Sequence, residues 1–335
     1  MKKISIAGTI AVDYLKTVAS YPEKGMLADI INIRRSIGGC VPNVAMDLRQ
    51  IDSTLQIAAL GKVGNDESAA YVRSVLAAAN INTMGILTSD CGKTSFTDVI
   101  AESNGDRTFF HLRGANSTFS ETDINLDELN CDHFHIGYLL LLDMLDQNDP
   151  VYGTRMASLL RAIKAKGITT SIDVVSENRN RYQEIIIPSL KYSDYVIINE
   201  IEAGRITNTA VRDDNGNISV PNIIEAVTKL MRLGVRQKAF IHCPELGVCL
   251  SDDGTVSVVP SIMIDPALIK GTVGAGDAFC AGVLYGLAKE MVDEDILKFA
   301  SAAASLCLQS EESTGGLDIY ERILAYEKQA IRRTI

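Results

Sequence analysis

Short apolar or β-branched runs alternate with stretches of helical spacing along most of this chain, and that alternation restricts the fold more than any other feature. Strand-like runs fall at 4–7, 55–59, 133–136, 168–172, 195–198 and 239–242. Between them, Val72, Val75, Leu76 and Ala79 recur at i, i+3, i+4 and i+7, and Met156, Leu159, Leu160 and Ile163 do the same. Ile223, Val227, Leu230 and Met231 continue the pattern. A strand, a crossover helix and a second strand bring the chain back in the same direction. The pattern therefore predicts an α/β fold: a doubly wound, mostly parallel sheet flanked by helices on both faces. Ligands of such sheets sit beyond the carboxyl ends of the strands.

Two stretches break the alternation. Residues 13–37 carry no helical stripe, and residues 93–113 read as two strand-like runs, TSFTDVI and RTFFHLR, around an Asn104-Gly105 hairpin signal. Both are expected to form a small antiparallel sheet outside the main core. Such an outgrowth suits a lid that excludes water; a decorative hairpin or a dimer surface is the alternative use.

Composition narrows the partners. The 47% hydrophobic content and mixed charge describe an ordinary globular chain, and 335 residues can bury one large core or two modest ones. Net charge is −10, with no basic cluster longer than Arg34-Arg35 or Arg332-Arg333, so nothing draws nucleic-acid phosphates and a small molecule is the expected partner. No apolar run approaches the ~20 residues of a membrane span. The opening MKKISIAGTIAV reads as a first strand rather than a leader, because Asp13 ends the apolar run early. Seven cysteines without a C-x-x-C pair fit a reduced, cytoplasmic setting. Cys243 and Cys249 flank a turn, but no histidine stands near Cys249 at ligand spacing, so a metal pair is not expected.

Residues 271–279, GTVGAGDAF, place three glycines and an alanine before one aspartate, ahead of a segment of helix-forming composition. Glycine lets backbone approach a ligand closely, and free N–H groups at a helix N-terminus bind anions. Asp277 in such a place points to proton handling during phosphoryl transfer; the plainer alternative is a helix N-cap. Two other phosphate signatures fail. The Walker form G-x-x-x-x-G-K-[ST] would need a glycine at Leu87, and no G-x-G-x-x-G follows the first strand.

IGGCVPN at 37–43, GKVGND at 61–66, NEIE at 199–202 and GTVGAGDAF occur in an order and at separations that resemble the ribokinase-like, or PfkB, carbohydrate kinase family. The resemblance spans nearly the whole chain and implies a single domain over 1–335 with a β-lid at about 13–37 and 93–113. It implies that Asp277 is the base that deprotonates a sugar hydroxyl attacking the γ-phosphate of ATP, with Gly274, Ala275 and Gly276 as the anion hole. Asp13, Gly38, Gly39 and Asn43 match the sugar contacts; carboxylate and amide groups suit vicinal hydroxyls. Helix cap and turn glycines are the bland alternatives for these. Asn199 and Glu202 match the motif that organises Mg2+ through water, although a surface N-x-x-E is more often a capping box. Thr272, His242, Gly247 and Ser301 fall in the nucleotide region, with Gly315-Gly316 near the adenine. Arg107 and His111, on the second excursion, are candidates to sort substrates.

Some positions depart from the family pattern. Gly271 stands where many members have Asp or Asn, a position tied to a monovalent cation, so potassium dependence stays open. HCPELG at 242–247 replaces T-x-G-x-x-G, which predicts an altered phosphate or ribose contact. The expected function is an ATP- and Mg2+-dependent kinase acting on a primary hydroxyl of ribose, fructose or a related sugar, as a homodimer through the lid. A nucleoside kinase of the same family and a non-catalytic sugar-binding sensor are the alternatives.

Overall fold

The structure, a computed structural model, describes residues 2–102 and 107–335. A nine-stranded sheet runs in the order Val256–Pro260, Leu246–Ser251, Lys238–His242, Tyr195–Asn199, Thr169–Val174, His133–Leu139, Lys3–Gly8, Gln56–Val63, Asn82–Thr88. All neighbours from Lys238–His242 to Asn82–Thr88 pair in parallel, and the last two strands at the other edge are antiparallel. The α/β expectation holds.

Strand residues alternate between two cores. Ile197 and Phe240 pack with helices Cys40–Ile51, Ala275–Ala288 and Asp293–Cys307 on one face. Their neighbours Val196, Ile198, Ala239 and Ile241 pack with helices Arg155–Ala165, Tyr182–Leu190 and Val220–Leu233 on the other. Burial on both faces is why these strands read as short continuous apolar runs. From Lys3–Gly8 the chain first winds toward Asn82–Thr88, then returns to His133–Leu139 on the opposite side of its starting strand. The crevice at that reversal is where ligands of doubly wound sheets bind.

A separate four-stranded sheet has the order Ile30–Gly38, Ala11–Val18, Ser95–Glu102, Arg107–Leu112. It is mixed rather than antiparallel, because Ala11–Val18 and Ser95–Glu102 run parallel. Each of them follows a strand of the parallel main sheet, so both leave it in the same direction. The strands flanking the Asn104-Gly105 signal pair antiparallel, while those two residues lie outside the described ones. Pairing puts Ser36, Asp13, Thr97 and His111 in one cross-strand row, with Arg34, Leu15, Val99 and Phe109 two residues further along. Side chains at period two share a face, so one face of this sheet presents a polar row to the crevice.

Candidate active site

Two cavities open beyond the carboxyl ends of the parallel strands. One, about 190 Å³, is lined by Asp173, Ser176, Asn199, Glu202, His242 and the segment Gly274–Asp277 through Gly274, Gly276 and Asp277. The other, about 160 Å³, takes Asp13, Gly39 and Asn43 from the first forty-odd residues and Thr97, Phe109 and His111 from the outlying sheet. A larger cavity of about 310 Å³ sits at the opposite, amino end of the strands, against Lys3, Gln56 and Asn82. Its lining carries no carboxylate, histidine or thiol.

Gly274 is the N-cap of helix Ala275–Ala288 at φ +90°, and a Cβ there would strike the Ser313 carbonyl. Only glycine tolerates both conditions. The first intrahelical bond runs from the Ala278 N–H to the Gly274 carbonyl (2.8 Å). The amides of Ala275, Gly276 and Asp277 therefore lack an intrahelical acceptor, and the positive end of the helix opens onto the larger of the two cavities.

Asp277 lies in the first turn and is not the cap. Its buried Oδ2 accepts from Asn43 Nδ2 at 2.7 Å and from the Tyr138 hydroxyl at 2.8 Å. Burial pushes its pKa up to about 6, against the two hydrogen bonds that favour the charged form. Asn43 is no cap either, since Gly39 caps its helix. Its Oδ1 accepts from Ser313 Oγ at 3.1 Å, which fixes the amide between the glycine-rich turn and the 313 loop.

Asp13 is bonded to Thr97, and burial, with the charge of Asp277 adding, raises it to about 6. Its carboxylate lies where a Gly38 side chain would be, so the glycine makes room for the acid. His111 Nδ1 stands 3.1 Å from Thr97 Oγ1, and burial first, then Arg113, lowers its basicity. Arg107 lies at the cavity mouth instead, donating to the Lys270 carbonyl at 3.3 Å.

Asn199 and Glu202 do form a capping box: Asn199 Oδ1 accepts from the Glu202 N–H at 2.9 Å and Glu202 Oε2 from the Asn199 N–H at 3.0 Å. The box also faces the cavity, with Glu202 Oε1 accepting from Ser176 Oγ at 2.9 Å. Burial raises the pKa of Glu202, and burial plus the charge of Glu202 raises Asp173. Among the described residues neither carboxylate has an ion-pair partner, and two crowded oxygen-donor acids are what a hydrated hard cation such as Mg2+ neutralises. His242 lies against Phe279 with ring centroids 4.7 Å apart, and burial lowers its pKa to about 4, which favours the neutral ring.

Three other expected nucleotide residues lie outside both cavities. Gly247 is buried against Leu297 and Phe279 because the sheet and helices close over it, Ser301 is buried within helix Asp293–Cys307, and Thr272 is exposed in the loop before Gly274. Sequence reasoning missed Tyr138, Asp173, Ser176 and Ser313. Asp173 follows directly on the 168–172 strand, at its carboxyl end, which was a usable signal; a tyrosine after a strand carries none.

A family model described as the pfkB family carbohydrate kinase matches residues 1–319. The chain belongs to this family. As a pfkB-family carbohydrate kinase it is a phosphotransferase with an alcohol group as acceptor. Fructokinase-2 of Oryza sativa subsp. japonica is 24% identical over 315 residues, covering 90% of this chain and 86% of the relative. A nucleoside kinase of Methanocaldococcus jannaschii is 21% identical, covering 97% and 96%. Among solved structures, Arabidopsis thaliana ribokinase complexed with ribose and ATP superposes with a TM-score of 0.80 at 20% identity, covering 98% of this chain and 99% of that one. Ribokinase of Thermotoga maritima gives 0.79 at 18% identity, covering 98% and 100%. No helix among the described residues is long and apolar enough to cross a membrane.

Proposed function

We propose that this kinase transfers the γ-phosphoryl group of ATP to a primary hydroxyl of a sugar such as ribose or fructose, with Asp277 as the base. One observation carries the reading: Asp277 stands at the mouth of a helix N-terminus in one cavity and is bonded to Asn43, which lines the other. The sugar lies in the smaller cavity, held by Asp13 and Asn43 beneath Thr97 and His111. Its hydroxyl gives a proton to Asp277 as the oxygen attacks the γ-phosphorus, and the bond from that phosphorus to the ADP oxygen breaks. The amides of Ala275, Gly276 and Asp277 hold the charge on the transferring group. Glu202, with Asn199 and Asp173 beside it, would hold Mg2+ through water, and the ion supplies charge neutralisation at the triphosphate. His242 takes a neutral contact on the phosphate side.

The outlying sheet serves as the lid, and its outer face serves a homodimer. Ile33, Phe110 and Leu112 lie on the face away from Asp13 and are 59%, 53% and 40% exposed, an apolar surface that needs a partner. All seven cysteines are free, which suits the reducing cytoplasm.

A panel of pentoses, hexoses, acidic sugars and nucleosides, scored by ADP release with Mg2+ present, tests the reading. Turnover is expected with at least one free sugar. Turnover confined to nucleosides would move the assignment to a nucleoside kinase, which one relative is named as. No turnover with any acceptor would favour a sugar-binding sensor.

A further inference from the structure

Among the described residues, Tyr138 alone lines both cavities. It sits at the carboxyl end of strand His133–Leu139, beside the reversal of strand order, with φ at +58°. A bulky aromatic side chain holds left-handed backbone only where its surroundings over-determine it, and such strain gathers at ligand sites. The Leu141 N–H donates to the Tyr138 carbonyl at 3.1 Å, closing the turn that aims the ring. Burial holds the phenol well above its usual range, so the hydroxyl keeps its proton and acts as the donor to Asp277.

We propose that Tyr138 is the positioning residue of the base: its hydroxyl engages Asp277 Oδ2, leaves Oδ1 to the acceptor hydroxyl, and supplies a donor to the carboxylate as its ring walls one cavity from the other. Among the described residues, both side-chain hydrogen bonds to Asp277 land on Oδ2, one from Asn43 and one from Tyr138. Besides Tyr138, the titratable groups that face Asp277 from the packed elements are acids and thiols. Asp13, Asp47 and Asp173 are carboxyls, and Cys40, Cys280 and Cys307 are thiols that burial keeps protonated. Asp47, one turn after Asn43, is fully buried with both oxygens unpartnered among the described residues. Among the described residues no cation bonds Asp277, so beside the helix N-terminus two neutral donors favour its ionised form. Removing one lets burial drive the carboxyl further toward protonation.

This inference rests on Asp277 being the base. A base works ionised, so kcat/KM falls as pH drops through the pKa of Asp277, about 6. In Tyr138→Phe the acid limb is expected to move up by about one pH unit, the effect of losing a hydrogen bond to a charged group. Activity at pH 6 should fall several-fold more than at pH 8. If Tyr138→Phe fails to fold, 3,5-difluorotyrosine at position 138 keeps the shape and gives a stronger donor, so the limb moves down. An unmoved limb in whichever variant folds overturns the role of Tyr138. A fully active Asp277→Asn would instead overturn the base assignment, which keeps the two failures apart.

Discussion

At position 271 a carboxylate or amide would offer an alkali cation a side-chain oxygen beside the anion-binding turn, whereas Gly271 offers its carbonyl alone. The fold adds a second reason against a cation there. A Cβ on Gly271 would lie 3.3 Å from the Arg107 guanidinium and 3.0 Å from the Ser310 carbonyl, so a positive group already occupies the approach. Exchanging sodium for potassium at constant ionic strength and saturating Mg2+ should change kcat by less than about threefold; a tenfold activation specific to potassium would contradict this. Other residues differ in how far they could be read. Asp277 was legible because bare backbone before an acid has few uses. Asn199 and Glu202 were legible but ambiguous, and the fold shows why: the same carboxylate closes a capping box and faces the cavity. Tyr138 was invisible, since its role comes from a backbone conformation and a contact 139 residues away.

Among the elements, the outlying sheet carries the clearest prediction. Its polar row reaches the crevice, and at its rim Arg107 contacts the Lys270 carbonyl and Arg34 pairs with Glu311. Sugar binding should protect amides in 13–37, 93–102 and 107–113 from hydrogen exchange as closure orders them. Protection confined to the main sheet would make the outgrowth a static decoration. Six strands of the main sheet were readable because both of their faces are buried. Asn82–Thr88 escaped because it is an edge strand whose Met84 is 88% exposed. Leu246–Ser251 and Val256–Pro260 escaped because they follow Lys238–His242 as antiparallel neighbours without crossover helices, breaking the alternation that identified the rest.

For the whole molecule, the exposed apolar side chains on the outer face of the outlying sheet predict a dimer. Sedimentation should give twice the 36.3 kDa chain mass, and Ile33→Asp with Phe110→Asp should return it to the monomer; a monomeric wild type would contradict the proposal. The central claim is that one buried carboxylate, at the junction of two cavities and at the head of a helix, takes the proton of the attacking hydroxyl. Steady-state turnover of Asp277→Asn with the best acceptor from the panel tests it most directly, with ATP affinity measured alongside. The claim predicts a kcat lower by on the order of 10² to 10⁴ with nucleotide binding retained. Turnover equal to the wild type would contradict it.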